Sequence, residues 1–224
     1  AWGLLTPVHW HLGRDQVTLA DPDALALDEA ASRALFEAVR ELFESEGFAL
    51  AWGAPQRWYA AHESLVDLPC ASIDRVVGRN VDRWLPEGRP ARLLRRLQNE
   101  VQMLLYSHPL NDAREAQGAL PVNSFWLSGC GRRQDVEGEE PHADTRLRAP
   151  LLSEDWAAWA EAWRALDADA LAPLADALER GEPASLTLCG ERFAQRFDLA
   201  EGSLWSRLGR RFKHPGPADV LEAL

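Results

Sequence analysis

The sequence has few cysteines and almost no lysine, which excludes several specialised kinds of site. Its three cysteines, Cys70, Cys130 and Cys189, are widely spaced and form no C-x-x-C pair. This usage favours reduced thiols over a disulfide framework or a structural zinc site. The basic residues are almost all arginine, and Lys213 is the one lysine. A Schiff-base lysine is therefore excluded everywhere except near position 213.

Long hydrophobic runs are also missing. No stretch of about eighteen apolar residues occurs, which excludes a transmembrane helix and predicts no membrane partner. No basic, then apolar, then small-residue leader opens the sequence, so we expect a cytoplasmic protein. Because the sequence begins at Ala1 rather than Met and runs at once into a strand-like segment, we also expect it to be part of a longer protein.

Positive charge is outweighed by negative charge. The 224 residues include 24 Lys and Arg against 35 Asp and Glu, for a formal net charge of -11 at pH 7. Such a field repels a phosphate backbone, so we expect no nucleic-acid partner. With 46% hydrophobic and 26% charged residues, the composition is that of a globular protein with a core of its own.

Local patterns predict an α/β protein with a small α+β subdomain over residues 1–68 and an α/β core over 69–224. The first part is predicted to contain one helix, which Asp28 caps and Gly47 ends, and strands over 4–12, 16–20, 48–52 and 57–62. The second part is predicted to contain a helix that Ser153 caps, helices over 91–107, 111–117, 169–180 and 203–212, and strands over 122–127, 184–189 and 192–197.

Two of these strands are nearly continuous runs of apolar residues, at 122–127 and 186–189. Strands buried on both faces have this character. We therefore predict both as interior strands of the core. The charged segment 132–149 between them is predicted to be a long loop.

His9 and His11 flank Trp10 in a predicted strand. Alternation along a strand places both imidazoles on one face, close enough to share a metal, with His62 as a candidate third ligand. A solvated strand face explains the pattern equally well. We predict no metal site.

Seven arginines lie between positions 75 and 96 and alternate with acidic residues. Guanidinium groups suit phosphate or carboxylate ligands. Arg75 and Arg79 are therefore candidate ligand contacts. A solvated face with local ion pairs is the interpretation that we favour for the cluster as a whole.

Cys130 lies between Gly129 and Gly131. A tight turn of this kind can expose a nucleophile. No helix N-terminus or partner histidine is assured beside it, so we interpret it as an incidental free thiol.

Trp156, Trp159 and Trp163 share one face of a predicted helix. Three indoles within two turns are hard to bury completely, and each N–H needs an acceptor. We predict that they are not all buried within the monomer, and that a protein partner or a second copy of the chain covers them.

Residues 85–131 carry a series of motifs in order. They read L-P-E-G at 85–88, H-P-L-N-D-A-R at 108–114 and P-V-N-S-F-W-L-S-G-C-G at 121–131. This series resembles archaeal-type cofactor-independent phosphoglycerate mutases, where it reads L-P-x-G, H-P-V-N-x-x-R and P-A-N-x-x-W-L-W-G-x-G. HWHLGRDQVTLADP, LQNEVQMLLYSHPLNDAR and LTLCGERFAQRF are similar to a bacterial group described as phosphoglycerate mutase-like or as regulatory proteins of the RpfE type.

The resemblance implies an alkaline-phosphatase-like core, with residues 16–47 and the Trp58–Tyr59 pair in a small inserted domain. It also implies a polar ligand pocket formed by His108, Asn111, Arg114 and Asn123. Each of these has a structural alternative, because asparagines close turns and cap helices and Arg114 can pair with a core carboxylate.

The expected function depends on the positions at which this sequence differs from the mutase family. The mutases need two divalent metals held by Asp and His, and a serine that carries the phosphoryl group. Where the family ends a strand in D-H-x-T-P, this sequence reads C-G-E-R-F at 189–193, and Glu191 alone does not build a two-metal clamp. We expect a catalytically degenerate protein with a regulatory or partner-binding role, no catalytic residues and no cofactor. The alternative is a metal-dependent phosphotransfer enzyme, using Mn, Mg or Zn, whose site is completed by a segment upstream of Ala1.

Overall fold

The computed structural model describes residues 1–135, 143–189, 193–198 and 216–222. The chain divides into two compact units, Ala1–Glu140 and Pro141–Leu224. None of the helices within the described ranges is both long enough and apolar enough to cross a membrane.

The first unit is built on a four-stranded antiparallel sheet. Its strands are β1 (Trp2–Val8), β4 (Ala49–Ala54), β5 (Arg57–Ala61) and β6 (Ser124–Gly131), in the order β4-β5-β1-β6. A separate hairpin joins β2 (Trp10–Leu12) to β3 (Val17–Leu19). The strand predicted over 4–12 is therefore two strands. They part at His9, whose carbonyl accepts a hydrogen bond from Ala20 N at 2.9 Å.

Within its described residues this unit has three α-helices: α1 (Glu29–Ser45), α2 (Arg89–Tyr106) and α3 (Pro109–Ala116). The predicted limits of α1 are confirmed. The Asp28 carboxylate accepts a hydrogen bond from Ala31 N at 2.7 Å, which satisfies one of the free amides of the first turn. Gly47 adopts φ 83°, a left-handed conformation that favours glycine after a helix end.

The core of the unit lies between α1, α2 and the sheet. Both helices place apolar residues at helical spacing against it. Phe43 of α1 packs edge-to-face on Phe125 of β6, with ring centroids 5.2 Å apart. The fully buried side chains of this core include Leu5, Leu35, Phe36, Val39, Phe43, Leu97, Val101, Leu105 and Phe125.

The strand predicted over 122–127 is β6, which is buried as predicted but lies at the edge of the sheet. Phe125 and Leu127 face the core. Trp126 is also buried, and its indole N–H donates to the Ala71 carbonyl at 3.0 Å. The irregular segment around Ala71 therefore covers the second face of β6. For this reason an edge strand, which pairs with a neighbouring strand on one side only, is still buried on both faces.

The structure divides the chain at 140/141, whereas local sequence patterns predict a boundary after residue 68. The reason is the central strand β1, which pairs with β5 on one side and with β6 on the other. Residues from both predicted domains therefore share one sheet. The pairing of β1 with β6 is a long-range contact that local patterns do not encode.

The described residues of the second unit are mainly helical. It contains α4 (Arg148–Leu152), α5 (Trp156–Leu166), a π-helical segment (Asp167–Leu171), α6 (Ala172–Arg180), β7 (Ser185–Cys189), β8 (Ala194–Asp198) and α7 (Pro217–Glu222). Within the described ranges β7 pairs only with β8. Its leucines are half-buried and alternate with exposed residues, so the prediction of an interior strand at 186–189 is wrong. The helix predicted over 203–212 and residues 136–142 of the predicted loop lie outside the described residues.

Candidate functional site

The H-P-L-N motif forms the start of α3. His108 occupies the N-cap position, and its Nδ1 accepts a hydrogen bond from Leu110 N at 3.2 Å. Asn111 is 4% exposed. Its amide donates to the carbonyls of Leu105 at 2.9 Å and Val122 at 2.8 Å, and its Oδ1 accepts from Val122 N at 2.9 Å. This side chain therefore ties the end of α2 to the approach to β6.

Arg114 also bonds the backbone. Its Nε donates to the Leu120 carbonyl at 2.9 Å, and its Nη2 donates to the Leu25 carbonyl. The guanidinium of Arg114 therefore bonds backbone carbonyls. The alternative expected from the sequence was an ion pair with a core carboxylate. Arg114 thereby links the turn after α3 to the segment before α1.

Asn123 pairs with the backbone of Trp10. Its Oδ1 accepts from Trp10 N at 2.7 Å, and its Nδ2 donates to Trp10 O at 3.0 Å. An asparagine that pairs with both backbone groups of one residue acts like an added residue of a strand ladder. The side chain connects the start of β6 to β2, 113 residues away.

Asn111 and Asn123 line one pocket of about 660 Å³, together with side chains from β2 and α3. Its polar lining includes His9, His11, Asp112 and Glu115. His108 and Arg114 are not among its lining residues. The structure therefore brings together two of the four predicted motif residues and adds two carboxylates. These carboxylates were not among the predicted site residues, although their i, i+3 spacing on a predicted helix was a usable signal.

The two histidines of the pocket are neighbours, as their spacing predicted, with ring centroids 4.4 Å apart. His9 Nδ1 lies 2.8 Å from the Pro121 carbonyl, so this nitrogen carries the proton. Burial lowers the pKa of His9, and the nearby His11 adds to the effect, while the Pro121 carbonyl and Glu115 oppose it. A neutral His9 leaves Nε2 as a hydrogen-bond acceptor.

The candidate third ligand, His62, is held by other contacts. Its ring stacks on Phe48 at a centroid distance of 4.3 Å, and its Nδ1 lies 2.7 Å from Ser64 Oγ. Among the described residues, no three His, Cys, Asp or Glu side chains are grouped so that they could hold a metal ion.

Two of the arginines between positions 75 and 96, Arg79 and Arg96, contact different local partners. Arg79 lies over the Trp84 ring at 5.9 Å, and Arg75 is half-buried in the preceding turn. Arg96 pairs with Glu46 and lies 3.8 Å from Glu100. Local pairing of this kind agrees with the solvated-face interpretation for Arg96. A smaller pocket, of about 320 Å³, is lined by Glu87, Gly88, Arg92 and Arg95 at the start of α2.

Cys130 has a neighbour that the sequence pattern around it does not predict. Its Sγ lies 3.5 Å from the Sγ of Cys70. The hydrogen bond between the thiols lowers the pKa of Cys70 and raises that of Cys130, and burial raises the pKa of Cys130 further. Cys70 is therefore the more acidic thiol of the pair.

The three tryptophans of α5 form a stack of edge-to-face rings. Centroids are 6.4 Å apart for Trp156 and Trp159 and 5.8 Å apart for Trp159 and Trp163. Trp156 is 60% and Trp163 39% exposed. The expectation that the three are not all buried in one copy of the chain is confirmed.

Comparison with known proteins points to one class, the cofactor-independent phosphoglycerate mutases, and the chain is a divergent relative of them. No protein-family profile matches the sequence. The chain spans less than a third of the length of the curated relatives described below.

The probable 2,3-bisphosphoglycerate-independent phosphoglycerate mutase of Geobacter sulfurreducens is 28% identical over 123 residues, which are 53% of this chain and 30% of the relative. The corresponding mutase of Methanothrix thermoacetophila is 32% identical over 65 residues, 29% of this chain and 17% of the relative. The solved cofactor-independent phosphoglycerate mutase of Thermoplasma acidophilum aligns with 58% of this chain and 37% of its own, at 18% identity and a TM-score of 0.45.

Proposed function

We propose that this chain is a catalytically degenerate phosphoglycerate mutase-like protein of the RpfE-type group, with a regulatory or partner-binding role in the cytoplasm. The supporting observation is the use that the chain makes of its mutase-like motif. Polar groups of His108, Asn111, Arg114 and Asn123 all bond the backbone. These motif residues therefore hold backbone segments of the first unit together.

The second strand-end motif supports the same proposal. In the resembling family this position carries metal ligands, and here the sequence continues from β7 as C-G-E-R-F. Cys189 pairs with Ala194 of β8 in an antiparallel register. Phosphoryl transfer depends on positioning and on neutralisation of charge by metal ions. A chain whose sequence lacks the family's D-H-x-T-P metal ligands at this strand end is suited to binding rather than to turnover.

The exposed indoles of α5 support the binding half of the proposal. Trp156 is 60% exposed, and a tryptophan in water forgoes the large apolar burial that its ring offers. Aromatic side chains of this kind are enriched where proteins meet. We assign this face to a protein partner, with a second copy of the chain as the simplest case.

The test is an assay that interconverts 2- and 3-phosphoglycerate, with Mn²⁺ or Co²⁺ present. The Geobacter sulfurreducens relative serves as the matched positive control. We expect turnover with the relative and none with this chain, whether or not upstream sequence is added. Turnover that a chelator abolishes would overturn the proposal and establish the metal-dependent phosphotransfer alternative.

A further inference from the structure

Cys70 and Cys130 lie side by side in the first unit although 60 residues separate them in sequence. Cys130 belongs to β6, and Cys70 lies in the irregular segment that covers the outer face of this strand. Both are half-buried, and their sulfur atoms are 3.5 Å apart. Cys189, the third cysteine, is exposed.

Packing holds the two sulfur atoms near each other. One residue after Cys70, the Ala71 carbonyl accepts the indole N–H of Trp126 at 3.0 Å, which anchors the covering segment to β6. On the other side, a Cβ on Gly3 of β1 would lie 3.1 Å from the Cys130 sulfur. β1 therefore packs closely behind Cys130, and the covering segment holds Cys70 in front of it.

We propose that Cys70 and Cys130 are a redox-active thiol pair that a hydroperoxide oxidises to an intramolecular disulfide. The sulfur atoms, 3.5 Å apart, must approach by about 1.5 Å to reach the disulfide bond length of about 2.0 Å. Cys70 lies outside helix and strand, so its segment can take up this shift while the ladder between β6 and β1 stays paired. The bond would fasten the covering segment to the edge strand.

The reaction uses one peroxide for two thiols. The Cys70 sulfur attacks a peroxide oxygen, so that an S–O bond forms and the O–O bond breaks. The departing oxygen takes the thiol proton and leaves as water, or as an alcohol from an organic peroxide. The Cys130 sulfur then attacks the Cys70 sulfur, the S–O bond breaks, and the oxygen leaves as water with the proton of Cys130. The thiols lose two electrons, and the peroxide gains them.

Cys70 is the attacking thiol for a physical reason. The thiolate is the nucleophile in such reactions, and the hydrogen bond from Cys130 lowers the pKa of Cys70. Cys130, with its raised pKa, keeps its proton until the second step. The pair thus has the two roles, attacking and resolving, that disulfide formation needs.

The experiment treats the reduced full chain with hydrogen peroxide, blocks the remaining thiols with an alkylating reagent and measures intact mass and cross-linked peptides. We expect the number of alkylated thiols to fall from the three free cysteines to one, with a peptide that links Cys70 to Cys130. A thiol reductant should restore all three. Three alkylated thiols after peroxide treatment, or links that involve Cys189, would overturn the proposal.

Three serine variants assign the roles. Cys189→Ser is the matched control and should still lose both remaining thiols. Cys130→Ser should stop at a Cys70 sulfenic acid that dimedone traps, whereas Cys70→Ser should give little trapped product at Cys130. Equal trapping in the two variants would overturn the assignment of Cys70 as the attacking thiol. Circular dichroism confirms that each variant is folded, and the wild-type measurement does not depend on the variants.

Discussion

Replacing Ser32 by alanine should destabilise the first unit far more than the same change at an ordinary helix position. Ser32 lies on the buried face of α1 with no exposed surface. Its hydroxyl accepts the indole N–H of Trp52 at 3.0 Å and that of Trp58 at 2.9 Å, and it donates to the Pro55 carbonyl at 2.8 Å. One hydroxyl thus joins α1 to β4, to β5 and to the turn between them.

The magnitude follows from the partners that alanine would leave behind. A buried donor without an acceptor costs about 1–3 kcal/mol. Trp58 is 2% exposed, so it bears this cost in full. Trp52 is half-buried and recovers part of the cost by hydration. Alanine has the higher helix propensity, which offsets up to about 0.5 kcal/mol. We expect the free energy of unfolding to fall by about 2–4 kcal/mol.

Ser45→Ala is the matched control, because it makes the same chemical change in the same helix. Ser45 donates to the Leu42 carbonyl at 2.8 Å at an exposed position, and its loss should change stability by less than about 0.5 kcal/mol. Urea unfolding of the full chain, followed by circular dichroism and tryptophan fluorescence, measures both variants. The S32A midpoint should drop with the slope unchanged. If S32A and S45A agree within about 0.5 kcal/mol, the assigned role of the Ser32 hydroxyl is wrong.

Two further measurements concern α5 and His9. Sedimentation velocity should show a concentration-dependent dimer that Trp156→Ser weakens. The control Leu12→Ser, also at an exposed apolar side chain, should leave the dimer intact. A monomer at every concentration contradicts self-association. Burial lowers the pKa of His9, so its contribution to stability is complete above the ordinary pKa of about 6.5 and is lost as pH falls through the folded-state value. His9→Asn keeps a donor near the Nδ1 position and should flatten the pH dependence of the unfolding midpoint below that pH; an unchanged profile refutes this.

Local signals in the sequence predict most of the secondary structure of the first unit. The Asp28 cap and Gly47 bound α1 because capping and left-handed glycine act within a few residues. The pairing of β4 with β5 follows from two short apolar runs around Pro55. The resemblance to phosphoglycerate mutases was also carried by sequence alone, in the motifs between 85 and 131, and the comparisons support it at low identity.

What the motif residues do was decided by tertiary structure. A side chain such as Asn123 offers the same donor and acceptor to a ligand or to a backbone, and the sequence left both uses open. Its partner, Trp10, lies 113 residues away. Asn111 similarly bonds Val122 across a turn. The chemistry of a polar residue depends on which groups the fold brings to it.

The sequence by itself determined most of the helix and strand positions of the first unit, because capping, alternation and helical periodicity act between near neighbours along the chain. Only the tertiary structure decided which strand became central, and with it the division at 140/141. It also decided that Cys130 lies beside Cys70 and that Ser32 joins two indoles. These contacts join residues 20 to 60 positions apart, and they form because burial of the shared core selects one arrangement of the elements among many that local preferences allow.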